Sequence, residues 1–126
     1  HVLEPLSGYL LLAECLYKSS KKFSGAWNFG PKTDEIRNVR DVAKEIHKVL
    51  GQGSLKEIEQ NSPMYEANLL QLNCDKAHQV LGWSPRWNVD KTLLETAVWY
   101  REYLNKGDVK IVTERQINDY FNYSNA

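Results

Sequence analysis

Apolar positions recur at helical spacing along most of the chain. From Leu3 to about Ser19, Leu3, Leu6, Leu10, Ala13 and Leu16 lie three or four residues apart, with Leu11, Leu12 and Tyr17 widening the stripe. This predicts an amphipathic first helix. Pro5 is tolerable in its first turn, where the missing N–H would be unpaired anyway. A basic run, Lys18-Ser19-Ser20-Lys21-Lys22, ends it. Asn38 predicts the N-cap of a second helix, with Val39, Val42, Ile46, Val49 and Leu50 as its face and Gly51 as its stop. A short helix is expected over Lys76–Leu81, capped by Asn73 or Asp75 and closed by Gly82. Asp90 predicts the start of a long helix, with Leu93, Leu94, Ala97, Val98, Tyr100, Tyr103 and Leu104 mostly inward. That helix should end at Asn105-Lys106-Gly107. A last helix is predicted from Thr113, as cap, to about Phe121.

Between these segments the pattern changes. Ala26-Trp27-Asn28-Phe29-Gly30-Pro31 reads as a short aromatic strand stopped by Gly-Pro. Ser54 to Gln60 predicts a second short strand, and Leu69 to Leu72 is a brief apolar run. Trp83-Ser84-Pro85-Arg86-Trp87 reads as a turn clamped onto neighbouring helices by its two indoles. The expected fold class is therefore α+β: helix-rich, with two or three short strands and no complete doubly wound sheet. Two short strands cannot shelter one side of several amphipathic helices. The first helix, whose apolar arc is too wide for one partner, should expose a patch of several hundred Å² unless a further layer covers it.

Composition narrows the function. At 126 residues the chain is one domain's worth, with 42% apolar and 25% charged residues. Sixteen basic residues balance sixteen acidic ones, which gives a nucleic-acid or acidic-membrane partner no electrostatic support. No apolar run approaches the roughly 18–20 residues that cross a membrane. Four Trp and seven Tyr are generous, and core filling is their ordinary use. Cys15 and Cys74 form no CxxC pair, so both are expected as reduced thiols in a cytoplasmic protein. The sequon Asn122-Tyr123-Ser124 is a chance match.

Several longer blocks are more specific. His1 to Glu14 (HVLEPLSGYLLLAE) resembles the segment that follows the last-third strand of extended short-chain dehydrogenase/reductases acting on nucleotide sugars. Gly25 to Pro31 resembles the G-x-W-N-F-G-P strand and turn of that family. Asp75-Lys76-Ala77 through Leu81-Gly82-Trp83-Ser84-Pro85-Arg86-Trp87 resembles its K-A…L-G-W-x-P-x-W block, and Thr92 to Tyr100 its E-T-x-x-W-Y helix. The tail from Asp108 to Ile117 resembles the T-x-x-Q-I-x-x-Y ending of the CDP-glucose 4,6-dehydratases, which generic epimerases lack. The likeness covers essentially the whole chain in order.

That resemblance implies a role. Residues 1–126 would be the C-terminal nucleotide-sugar-binding domain, a satellite lacking a complete Rossmann sheet, with the NAD-binding half absent from this chain. The opening, which runs at once into an apolar helix without an initiator Met, fits a C-terminal piece. In the family this part closes the cleft over the nucleotide sugar, while the other half removes a hydride from C4 to NAD. Water is then eliminated across C5 and C6, and the hydride returns to C6. Binding and orientation fall to the satellite, which alone should be inactive. Glu66, counted back from Asn73, stands where related epimerases place an acid on the ribose hydroxyls, and a carboxylate can accept from both. Tyr65 could stack on or bond to the nucleotide. Pro63 stands where those epimerases carry a phosphate-contacting Arg, and the other such Arg of the family lies upstream of His1. The implied partners are CDP-glucose and the missing cofactor half, with a homo-oligomer possible through the first helix. Two alternatives remain: a non-enzymatic helical interaction module, and the C-terminal part of another dehydratase or epimerase.

Three tempting motifs are discounted on the residues themselves. Tyr17 and Lys21 have the Tyr-x-x-x-Lys spacing that puts phenol and ammonium on one helix face, but at a fraying helix end. Thr33-Asp34-Glu35 copies an acid/base triplet as a string, yet it follows a Gly-Pro break and reads as a solvated turn. Gly51-Gln52-Gly53 follows a helix rather than a strand and lacks the third glycine of a dinucleotide loop. His1, His47 and His78 are scattered, so no metal site and no catalytic residue is assigned.

Overall fold

The computed structural model describes residues 1–56 and 72–123. Its elements are helices: α1 (Leu3–Lys18), α2 (Ser20–Phe23), α3 (Val39–Leu50), α4 (Val89–Leu104) and α5 (Val109–Asn122). A 3-10 turn covers Thr33–Glu35 and a π-helical turn covers Ala77–Leu81. No strand occurs among the described residues, which corrects the expected α+β class with two or three short strands. The reason is visible at Ala26–Pro31, where side chains take the main-chain groups that a ladder would use. Lys76 Nζ donates to the Ala26 carbonyl at 2.9 Å, and across the same junction Asn28 Nδ2 donates to the Asn73 carbonyl at 3.1 Å. In the second expected strand, Ser54–Lys56 has no regular structure and the remainder lies outside the described residues.

Local chemistry explains the helix ends. The Asn38 side chain accepts from the Asp41 amide at 2.8 Å to start α3, and Gly51 ends it with φ 69°. Val39, expected on the packed face, is instead solvent-exposed. Helix α4 is capped by Asn88 rather than Asp90: Asn88 Oδ1 accepts from the Lys91 amide at 2.9 Å. Glu35 Oε2 takes the Val89 amide at 3.1 Å, so Asp90 falls inside the first turn, where a negative charge suits the helix dipole. Asp108 starts α5 earlier than the predicted Thr113, accepting from the Lys110 amide at 2.9 Å. Thr113 then sits inside the helix, its hydroxyl donating to the Val109 carbonyl at 2.7 Å and accepting from Trp99 Nε1 at 2.9 Å.

The core is small and aromatic. Trp83, Trp87, Tyr120, Cys74, Ala77 and Ala97 are buried. The two indoles clamp as expected: Trp83 meets Phe29 edge-on at 5.0 Å, and Trp87 meets Tyr120 edge-on at 5.0 Å. Helix α1 is turned differently from its predicted stripe. Its packed face is Glu4 and Gly8, and Gly8 lies so close to Phe29 that a Cβ there would overlap the ring. The opposite face leaves Val2, Leu6, Tyr9, Leu10 and Tyr17 exposed. On α4, Leu94, Tyr100, Tyr103 and Leu104 also stay exposed, against the inward expectation.

Candidate functional site

Two buried carboxylates join the segments that carry the family resemblance. Glu4 of α1 accepts from the Arg86 amide at 3.0 Å, the Trp87 amide at 2.8 Å and the Tyr120 hydroxyl at 2.8 Å. Ser7 extends this node, its Oγ accepting from Trp83 Nε1 at 2.9 Å and donating to the Glu4 carbonyl at 2.7 Å. Burial, reinforced by the Glu4 carboxylate, pushes the Tyr120 phenol up to about 12 against the opposing pull of Ser7 and Arg86. Glu95 of α4 forms the second node. It accepts from Lys91 Nζ at 2.6 Å, Arg115 Nη2 at 2.9 Å and Gln116 Nε2 at 3.0 Å. Burial alone would push the Glu95 carboxyl up, but the hydrogen bonds from Lys91, Gln116 and Arg115 outweigh it and hold the carboxyl below its ordinary value. Thus Gln116 and Tyr120, one turn apart on α5, tie the tail to α4 and to α1. These residues are structural, and their chemistry is spent within the fold.

The open polar chemistry lies elsewhere. The Trp27–Gly30 run is stitched to residues 73–76, and Lys76 Nζ sits 4.0 Å above the Trp27 ring. At Gly30 the backbone approaches Cys74 so closely that a Cβ would lie 3.3 Å from its sulfur. Beside this junction a cleft of ≈ 680 Å³ is lined by Lys32, Asp34, Asn73, Asp75, His78 and Ser84, among others. Burial pushes the Cys74 thiol up, so it is poorly suited as a nucleophile. An apolar cleft of ≈ 540 Å³ lies apart from it, between the start of α1 and the Trp99–Tyr100 and Gln116–Ile117 turns.

Of the residues singled out from sequence, Glu66 and Tyr65 lie outside the described residues; Leu72, which lines the polar cleft, follows them by six and seven positions. Tyr17 is 93% exposed, and the helix break at Ser19 puts it and Lys21 on different helices. The triplet Thr33–Glu35 forms a 3-10 turn whose Glu35 accepts from the Val89 amide at the start of α4. Gly51 and Gly53 have positive φ after the end of α3, a helix stop and not a phosphate-binding turn before a helix. Among the described residues no group of three His, Cys, Asp or Glu could hold a metal ion. Sequence reasoning missed the two buried glutamates, because an acid inside an apolar helical pattern reads as the solvent side. It also passed over His78, which lines the polar cleft. The one available signal was that Glu4, Glu95, Gln116 and Tyr120 all fall within the quoted blocks or their continuation.

No helix among the described residues is long and apolar enough to cross a membrane. No protein-family model matches the chain. A curated protein does: the CDP-glucose 4,6-dehydratase of Salmonella typhimurium is 37% identical over 120 residues. The match takes in 95% of this chain and 33% of that protein, so the chain spans about a third of its relative's length. The aligned region is the relative's C-terminal part. By sequence, then, this chain is a homologue of the C-terminal part of a CDP-glucose 4,6-dehydratase.

Proposed function

We propose that the chain is the substrate-binding portion of an NAD-dependent nucleotide-sugar 4,6-dehydratase that converts CDP-glucose to its 4-keto-6-deoxy product once joined to a cofactor-binding half. The observation that carries this is similarity along 95% of the chain to one stretch of a CDP-glucose 4,6-dehydratase. NAD chemistry belongs to the other half in this reading, since Gly51 and Gly53 terminate a helix instead of opening one. What this chain supplies is grip and orientation, with Glu66 accepting the ribose hydroxyls and Tyr65 against the nucleotide. Alone, it turns nothing over.

The outward face of α1 favours a second reading, a helical module that docks on a partner protein. The same face equally suits a covering cofactor half, so activity decides between them. The test joins this chain to the preceding two-thirds of the Salmonella enzyme and follows conversion of CDP-glucose. The dehydratase reading expects turnover, and a raised KM with near-unchanged kcat for Glu66→Ala. A folded chimera without turnover would support the module instead.

A further inference from the structure

We propose that α5 is a hinged strap: it lifts from the body as a unit about the Asn105–Gly107 link, and two buried carboxylates, Glu4 and Glu95, clasp it shut. Of its 14 residues only Gln116 and Tyr120 are buried, while Ile111, Ile117 and Phe121 are exposed. Little apolar burial therefore holds it down, which is the mark of a segment that opens on its own. Both buried side chains end on a carboxylate of another helix. Gln116 Nε2 donates to the Glu95 carboxylate at 3.0 Å and to its carbonyl at 2.7 Å, and the Tyr120 hydroxyl donates to Glu4 at 2.8 Å. Further ties are peripheral: Trp99 Nε1 to Thr113 at 2.9 Å, and Arg86 Nη1 to the Phe121 carbonyl at 3.3 Å.

The link leaves α4 through Lys106 at φ 56°, in the left-handed region, and the ends of elements are where hinges absorb rotation. Lifting bares the Trp87 indole, which Tyr120 meets edge-on at 5.0 Å, and takes Thr113, Gln116 and Ile117 from the wall of the apolar cleft. Acid releases one clasp. Glu95 faces Lys91 on its own helix and Arg115 and Gln116 on α5, with Asp119 behind Arg115 at 3.2 Å. Burial opposes its ionised form, but these donors outweigh burial and hold the carboxyl below its ordinary 4.5. The Glu95 clasp is thus present above pH 4.5 and is lost as the pH falls through the lower folded value.

The experiment follows amide hydrogen exchange of the 126-residue chain by mass spectrometry. Residues 109–122 should exchange together, and with protection about tenfold or more below that of α4. Gln116→Ala and Glu95→Gln should each speed α5 by about a further tenfold, the worth of one hydrogen bond to a charged group, and leave α1 unchanged. Glu114→Gln, at an exposed position of the same helix, should change nothing. Acid should open α5 in the parent and do so less in Glu95→Gln. Exchange of α5 in step with α4 in the parent and every variant would overturn the strap. Glu114→Gln loosening α5 as much as Gln116→Ala would overturn the clasps, and equal acid opening in the parent and Glu95→Gln would overturn the acid release. If Glu95→Gln also exposes α1, Gln116→Ala decides, because it leaves Glu95 paired with Lys91 and Arg115.

Discussion

Glu4 shows how one side chain can hold three segments together. Its carboxylate takes two main-chain amides from the Arg86–Trp87 turn and the phenol of α5. Removing it leaves the Arg86 and Trp87 amides without their acceptor, at about 1–3 kcal/mol each, while the Tyr120 hydroxyl keeps Ser7 Oγ at 2.9 Å. Urea unfolding of Glu4→Ala should therefore show a loss of roughly 2 kcal/mol or more; a loss below 1 kcal/mol would show that the node is ornamental. Tyr120 makes the same node pH-dependent. Its folded pKa, about 12, stands above its ordinary 10.0, so the protonated phenol favours the fold. That contribution is complete below pH 10, and it is lost as the pH rises toward about 12. Tyr120→Phe, which cannot ionise, should lose less stability than the parent across that window. Parallel stability curves for the two proteins would remove this role. Neither function was legible in the sequence, because a lone Glu or Tyr in a helical pattern carries no mark of the partner it meets more than a hundred positions away.

Among the elements, the helices were legible and their exact ends less so. Asn38 and Gly51 bracket α3 as read, because capping is a local matter of one side chain and one left-handed residue. Competing caps shifted α4 and α5: Asn88 lies before Asp90 and Asp108 before Thr113, and in each helix the earlier residue captures the first free amides. The predicted strand at Ala26–Pro31 failed for a non-local reason, since alternation and aromatics supply a strand's surface but not its partner. The packed face of α1 was also misread. Leu6 and Leu10 lie on the face left open and Leu3, Leu11, Leu12 and Leu16 are half-buried, while Gly8 marks the closest contact, where Phe29 fills the space of a missing Cβ. Replacing Gly by Ala inside a helix ordinarily gains up to about 1 kcal/mol. Here displacement of Phe29 from Trp83 should outweigh that gain, and Gly8→Ala should lower the thermal midpoint. A raised midpoint would mean that the α1–Phe29 contact is loose.

At the scale of the molecule, the described residues bury few apolar side chains completely and leave large ones exposed on α1 and α4. The sequence anticipated this open layer from the width of the first apolar arc, and Leu6, Leu10 and Tyr17 of that arc are exposed. Such a face seeks cover. Sedimentation should show self-association of the isolated chain, relieved by Leu6→Lys combined with Leu10→Lys; a monomer at high concentration that binds no apolar dye would contradict this. The candidate site was the least legible part. Glu66 and Tyr65 came from resemblance, whereas the cleft required three separated segments to be brought together. The central claim is that these 126 residues grip the nucleotide sugar of a CDP-glucose dehydratase. Its most direct test is the chain joined to the cofactor half of the Salmonella enzyme, with kcat/KM measured side by side for CDP-, UDP- and dTDP-glucose. The account predicts the highest value for CDP-glucose; equal or better turnover of UDP- or dTDP-glucose would contradict it.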